Sequence, residues 1–178
     1  MIIFVPIAEV EPQAVEQLLD RAFGTDRHSR TAYRIREGMP AIPALSFAAI
    51  EDGALVGTIQ CWPILFATDE GADEGADAGH DVPLVMVGPV AVEPARQRDG
   101  IGHQLMNHAL EAARISGQAE LLTLIGDPEY YGRFFGFTAD RTAAWRVPGP
   151  VERHRLLALG DSIPGGAGML GPRVPVPA

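Results

Sequence analysis

The chain has 178 residues, 47% apolar and 21% charged, an ordinary globular composition whose length predicts one domain with a core that needs no staples. Its single cysteine, Cys61, excludes an internal disulfide and a cysteine-rich zinc site, and no apolar run reaches the roughly 18–20 residues that cross a membrane. The net charge is −9, but residues 68–81 hold Asp69, Glu70, Asp73, Glu74, Asp77 and Asp81 and no cation; that leaves −3 elsewhere, and no basic stripe for nucleic acid.

The N-terminus meets Glu9 early and has no basic start, so it does not read as a signal peptide; the expected setting is the cytoplasm. Residues 2–7 are apolar and β-branched and predict a first strand. Val10, Ala14, Val15, Leu18, Leu19, Ala22 and Phe23 recur at helical spacing up to Gly24. Asp26 is a candidate cap for a second helix through about Glu37. Residues 45–50 and 55–66 flank Glu51-Asp52-Gly53-Ala54, which predicts a hairpin.

Residues 68–81 are low-complexity, acidic and rich in Gly and Ala, and read as a long mobile loop. Metal ligation by Asp73, Asp77, His80 and Asp81 is the weaker reading, because the Ca²⁺-loop pattern with its terminal Glu is missing. Residues 82–92 are nearly continuously apolar, as in a strand buried on both faces, with an irregularity expected at Gly88-Pro89. Ile101, Leu105, Ala109, Ala112 and Ser116 form a helical stripe closed by Gly117. A strand over 120–125 completes a βαβ unit. A short aromatic helix over 128–135 follows. Residue 137 and residues 144–147 and 154–159 read as late strands. The organisation expected is one domain over 1–160 and a Gly/Pro-rich segment over 161–178 of undetermined structure.

Chemistry concentrates in Gly88-Pro-Val-Ala-Val-Glu-Pro-Ala-Arg-Gln-Arg-Asp-Gly-Ile-Gly102: a buried strand, a polar turn and two glycines that open a helix. Such a turn presents consecutive backbone N–H groups and the positive end of the helix dipole, a binding site for phosphate or pyrophosphate. Arg98 adds a candidate charge-assisted contact. All 14 cations are Arg; without Lys there is no Walker A loop and no Schiff-base chemistry. A dinucleotide fingerprint fails because Leu105 stands at its third glycine. The segment Gln97-Arg98-Asp99-Gly100-Ile101-Gly102 instead matches Q/R-x-x-G-x-G/A, the pattern of a coenzyme A pyrophosphate turn.

With its strand, helix, second strand and the element Tyr130-Tyr131-Gly132-Arg133-Phe134-Phe135-Gly136-Phe137 in order, the chain resembles the GCN5-related N-acetyltransferase (GNAT) superfamily, in its bacterial, YhbS-like branch. The resemblance is strongest over about 84–137. It implies an α/β fold: a mixed, mostly antiparallel sheet of about seven strands flanked by helices, with the two parallel strands splayed. It implies acetyl-CoA as co-substrate, its pantetheine along the backbone of Val90, Ala91 and Val92. The pyrophosphate is then expected on Gln97, Arg98, Asp99, Gly100, Ile101, Gly102 and His103. It implies direct acetyl transfer to an amine of a small molecule or protein, with no metal, nucleic acid or membrane. A homodimer is left open.

Members of that family often use a Tyr of the aromatic helix to protonate the leaving thiolate, a role the resemblance implies for Tyr131 as the better match and Tyr130 as the alternate. One aromatic more than the family pattern stands between Arg133 and Gly136, which shifts the helical phase by about 100°. Relatives also carry a Glu on the central strand as base, and residues 84–92 hold no acid; Asp81, His80 and ordered water remain. The alternative is a coenzyme A-binding module of the same fold without catalysis. Trp62 and Phe66 are expected in packing rather than in an acceptor pocket, and Glu93 is expected to face solvent.

Overall fold

A computed structural model describes residues 1–69 and 81–174. Most of the acidic stretch, with Asp73, Asp77 and His80, falls outside the described residues, and so does any test of its reading as a loop or metal site. In chain order the elements are β1 (Ile2–Pro6), α1 (Pro12–Phe23), α2 (Thr31–Ile35), β2 (Phe47–Glu51), β3 (Ala54–Thr68), β4 (Val82–Val92), α3 (Ile101–Ile115), β5 (Leu122–Ile125), α4 (Pro128–Phe135), β6 (Trp145–Arg146), β7 (Leu156–Leu159) and β8 (Gly168–Pro172). Strands pair in the order β1-β2-β3-β4-β5-β7, with β8 beside β3 and β6 beside β8. The β4–β5 and β6–β8 pairs are parallel; β1–β2, β2–β3, β3–β8 and β5–β7 are antiparallel. This is the mixed, mostly antiparallel sheet expected, with eight strands among the described residues where about seven were expected. No helix among the described residues is long and apolar enough to cross a membrane.

The chain divides into two compact units. The first comprises residues 1–28, 41–61 and 87–117. Pro12 opens α1, where it lacks only an N–H that the helix would not use. Val15, Leu18 and Leu19 bury one face and pack with Ala91 of β4. The hairpin turn has Asp52 at φ 51° and Gly53 at φ 81°, the positive pair of a type I′ turn. Ala49 pairs with Gly57 but Ile50 with Leu55, so β3 carries one extra residue, a bulge. On α3, Ile101, Leu105, Met106, Ala109 and Ala113 are buried. The helix sits close because β3 has Gly57 beneath it: a Cβ there would stand 2.9 Å from Ile101 Cγ2, 3.0 Å from Leu105 Cδ1 and 3.2 Å from the Ala91 carbonyl. His108 of α3 stacks on Phe4 at 4.4 Å between ring centres.

The second unit comprises residues 29–40, 62–86 and 118–174. Trp145 is fully buried, 5.0 Å from the Phe66 ring, and its Nε1–H donates to the Pro164 carbonyl at 3.2 Å. The Gly/Pro-rich segment that carries no strand signal supplies β8, which pairs with β3 from Ile64↔Pro172 to Thr68↔Gly168. Phe137 is buried outside any strand; Thr138 beside it exchanges two backbone hydrogen bonds with Ala158 at 3.0 and 2.8 Å. The helix expected over 26–37 is only Thr31–Ile35. Its first part becomes a single 3₁₀ turn, Arg27–Ser29, because Arg27 is buried against α1, donating to Asp20 Oδ1 at 3.1 Å and Glu16 Oε2 at 2.5 Å.

Candidate active site

In the first unit the turn between β4 and α3 is open. Gln97, Arg98, Asp99 and Gly100 are all exposed. Arg98 has φ 80° and Gly100 φ 83°, the left-handed region that an L side chain enters at a cost of about 1–2 kcal/mol. Gly100 is the N-cap of α3 and offers no side-chain cap. The first intrahelical bond runs from the Gln104 N–H to the Gly100 carbonyl at 3.1 Å, so the helix itself supplies no acceptor to the N–H groups of Ile101 and Gly102. A Cβ on Gly100 would meet nothing within 4 Å, and one on Gly102 would stand 3.5 Å from both Val90 and Val92. Gly100 is therefore not a packing glycine; Gly57 has that role. Ala91 is buried on one face of β4 against α1, and Val90 and Val92 face the start of α3 from the other.

Ion pairs brace this turn at both ends. Arg21 of α1 grips Glu93 through Nε at 3.1 Å and Nη2 at 2.8 Å, so Glu93 is paired rather than simply solvated. Its N–H also donates to the Val56 carbonyl at 2.9 Å. Arg96 donates from both terminal nitrogens to Glu51 of β2, the Nη2–Oε2 distance being 3.2 Å, and from Nε to Asp99 Oδ2 at 2.7 Å. The Arg96 hydrogen bond holds the Glu51 carboxyl below its ordinary value. No local signal marks Arg96 in the sequence, because its partner lies 45 positions away.

β4 runs in register with β5 at Val85↔Leu122 and Met86↔Thr123. The expected irregularity is present two residues on, where Gly88 has φ 114°. Cys61 is buried, and its thiol is pushed up to about 12 by burial, against a hydrogen bond from the Gly88 backbone; it is inert packing.

In the second unit, Asp127 caps α4 by accepting from the Glu129 N–H at 3.0 Å, and Pro128 takes the first helical position. Tyr131 is half-buried and lies on Gly126, the residue after β5: a Cβ there would stand 2.5 Å from Tyr131 Cε2 and 2.8 Å from Cδ2. Tyr130 meets the Tyr131 ring edge-on at 5.0 Å. Burial raises both phenols above the ordinary tyrosine value, and for Tyr131 the neighbouring Tyr130 adds to this while Arg155 opposes it. At the end of α4 the Gly136 N–H donates to the Gly132 carbonyl at 3.1 Å and also reaches the Tyr131 carbonyl, to which the Phe137 N–H donates at 3.2 Å, with Gly136 as a left-handed cap. Gly126, whose missing side chain lets the Tyr131 ring come this close, carries no motif signal in the sequence.

Trp62 is taken up in packing, since the Arg36 guanidinium stacks 3.6 Å from its ring centre and 4.1 Å from that of Tyr33. Asp81 is exposed and accepts from the Thr68 N–H at 3.3 Å.

The family model described as "Acetyltransferase (GNAT) family" matches residues 13–137. The N-acetyltransferase YhbS of Escherichia coli strain K12 is 27% identical over 154 residues, 85% of this chain and 84% of that protein. A GNAT family acetyltransferase from Brucella melitensis, solved in complex with acetyl-CoA, is 30% identical with a TM-score of 0.60 and 94% of each chain covered. The crystal structure of Escherichia coli YhbS in complex with CoA shares the fold at a TM-score of 0.63 and 22% identity, covering 96% of this chain and 88% of that one. With well over half its length matched by the family model, and with the turn and strand order described above, the chain belongs to the GNAT family of acetyltransferases.

Proposed function

We propose that this chain transfers an acetyl group from acetyl-CoA directly to a primary amine of a small molecule or a protein. The observation that carries the reading is the open turn at 98–102: residues 98–100 are exposed, the N–H groups that start a 15-residue helix have no acceptor within it, and a Cβ on Gly100 would meet nothing within 4 Å. The dipole at such a terminus contributes roughly 0.3–2 kcal/mol to anion binding, and the unsatisfied donors add direct hydrogen bonds. Gln97, Arg98, Asp99, Gly100, Ile101, Gly102 and His103 hold the diphosphate, chiefly through main-chain amides, while the backbone of Val90, Ala91 and Val92 takes the pantetheine amides. Asp99 contributes only backbone, since its carboxylate is spent on Arg96. Tyr131 donates the proton that the departing thiolate needs; its raised value keeps it protonated through neutral pH. Bringing amine and thioester together, with the carbonyl polarised, supplies most of the acceleration. Binding of acetyl-CoA by the Brucella melitensis protein supports the choice of donor.

Calorimetry with coenzyme A and thiol release from acetyl-CoA over a panel of amines test this. The wild type should bind and turn over. Gly100→Glu, whose Cβ would meet nothing within 4 Å but which sets a carboxylate before the amides and strains a left-handed position, should lose at least tenfold in affinity for about 1–2 kcal/mol of stability. Binding unchanged in the variant would remove the diphosphate site. Tight binding without turnover of any amine would assign a coenzyme A-binding module instead.

A further inference from the structure

Resting on the reading that a diphosphate occupies the amides at 98–102, we infer that Arg96 is a positioning residue that keeps the Asp99 carboxylate off those amides. Asp99 directly precedes the N-cap of α3. An acid so close to a helix start is itself attracted by the N–H groups that lack an acceptor in the helix and by the positive end of the dipole. Left alone, this carboxylate competes with the phosphates for the same donors. In the structure it turns the other way: Oδ2 accepts from Arg96 Nε at 2.7 Å. Arg96 is held in that pose by Glu51, which takes both of its terminal nitrogens, a fork that an ammonium does not reproduce. The turn has little else to hold the carboxylate in place. Residues 97–100 are exposed, and the Asp99 N–H reaches the Arg96 carbonyl at a long 3.4 Å.

The test compares wild type, Arg96→Ala, Asp99→Ala, the double variant and Glu51→Gln in the full chain, by hydrogen exchange of the amides at 100–103 without ligand and by calorimetry with coenzyme A. Released Asp99 caps the helix, so Arg96→Ala should slow exchange there and weaken coenzyme A about tenfold. Adding Asp99→Ala should restore fast exchange and bring affinity within about threefold of wild type. Glu51→Gln should move both readouts in the same direction by less, and serves if Arg96→Ala folds poorly. Faster exchange in Arg96→Ala, the mark of mere loosening, overturns the inference. So does a double variant no better than the single one. If the wild type gives no heat with coenzyme A, the donor assignment fails while the exchange pattern still decides the role of Arg96.

Discussion

Two adjacent tyrosines on one short helix have unequal surroundings. Tyr131 lies on Gly126 and is half-buried, and Tyr130 borders Phe134 and Phe135 at 5.3 and 5.8 Å. We propose Tyr131, the one packed on Gly126, as the proton donor. Tyr131→Phe should lower kcat for thiol release roughly 100-fold with little change in KM, and Tyr130→Phe should cost less than threefold. The sign of the pH dependence follows from the raised value. The phenol donates only while protonated, so its contribution holds through neutral pH and is lost as pH rises past the ordinary tyrosine range near 10. An alkaline limb that survives in Tyr131→Phe would move the role elsewhere.

At the scale of elements, α3 and the β3–β4 pair under it make the amide turn possible. The start of α3 at the glycines and its stripe as far as Ala109 were legible from spacing, though the buried face continues through Ala113 and leaves Ser116 exposed, and the bounds expected for β4 and α4 agree with those observed. Gly57 was not legible, since nothing beside it in the chain says that Ile101 and Leu105 of a later helix will stand about 3 Å from where its Cβ would be. Ile101 and Leu105 are 1% and 0% exposed and have no space to yield. Gly57→Ala should therefore destabilise by about 1–3 kcal/mol, read as a lowered melting temperature. Its KM for acetyl-CoA should also rise, because Ile101 begins the helix whose amides we propose as the diphosphate site. A Gly57→Ala protein as stable as wild type would mean that α3 shifts freely.

At the scale of the whole molecule, charge is organised as local pairs. Glu51 with Arg96, Asp69 with Arg146 and Glu111 with Arg114 all hold carboxyls below their ordinary values, each chiefly through the arginine hydrogen bond. A carboxyl depressed in the folded state contributes stability above its unfolded value and loses that contribution as pH falls through the folded one. Exposed pairs are individually weak, so the melting temperature should stay nearly flat from pH 7 to 5 and fall below about pH 4. A melting temperature still rising at pH 3 would mean that relief of the net charge of −9 outweighs the loss of these pairs.

What the amino-acid order determined by itself is local: the stripes of α1 and α3, the Asp-Gly hairpin, the Asp127-Pro128 start of α4, and the glycine-opened turn that names the family. Each rests on backbone angles or on neighbours within a turn or two, which adjacent residues settle. What only the tertiary structure decided is which distant groups meet. Arg96 finds Glu51, Gly57 lies under Ile101, Tyr131 rests on Gly126 after the chain doubles back, and a Gly/Pro-rich segment becomes β8 because β3 offers it an edge. Those contacts depend on packing free energy summed over the assembled sheet and helices, and no local propensity encodes it.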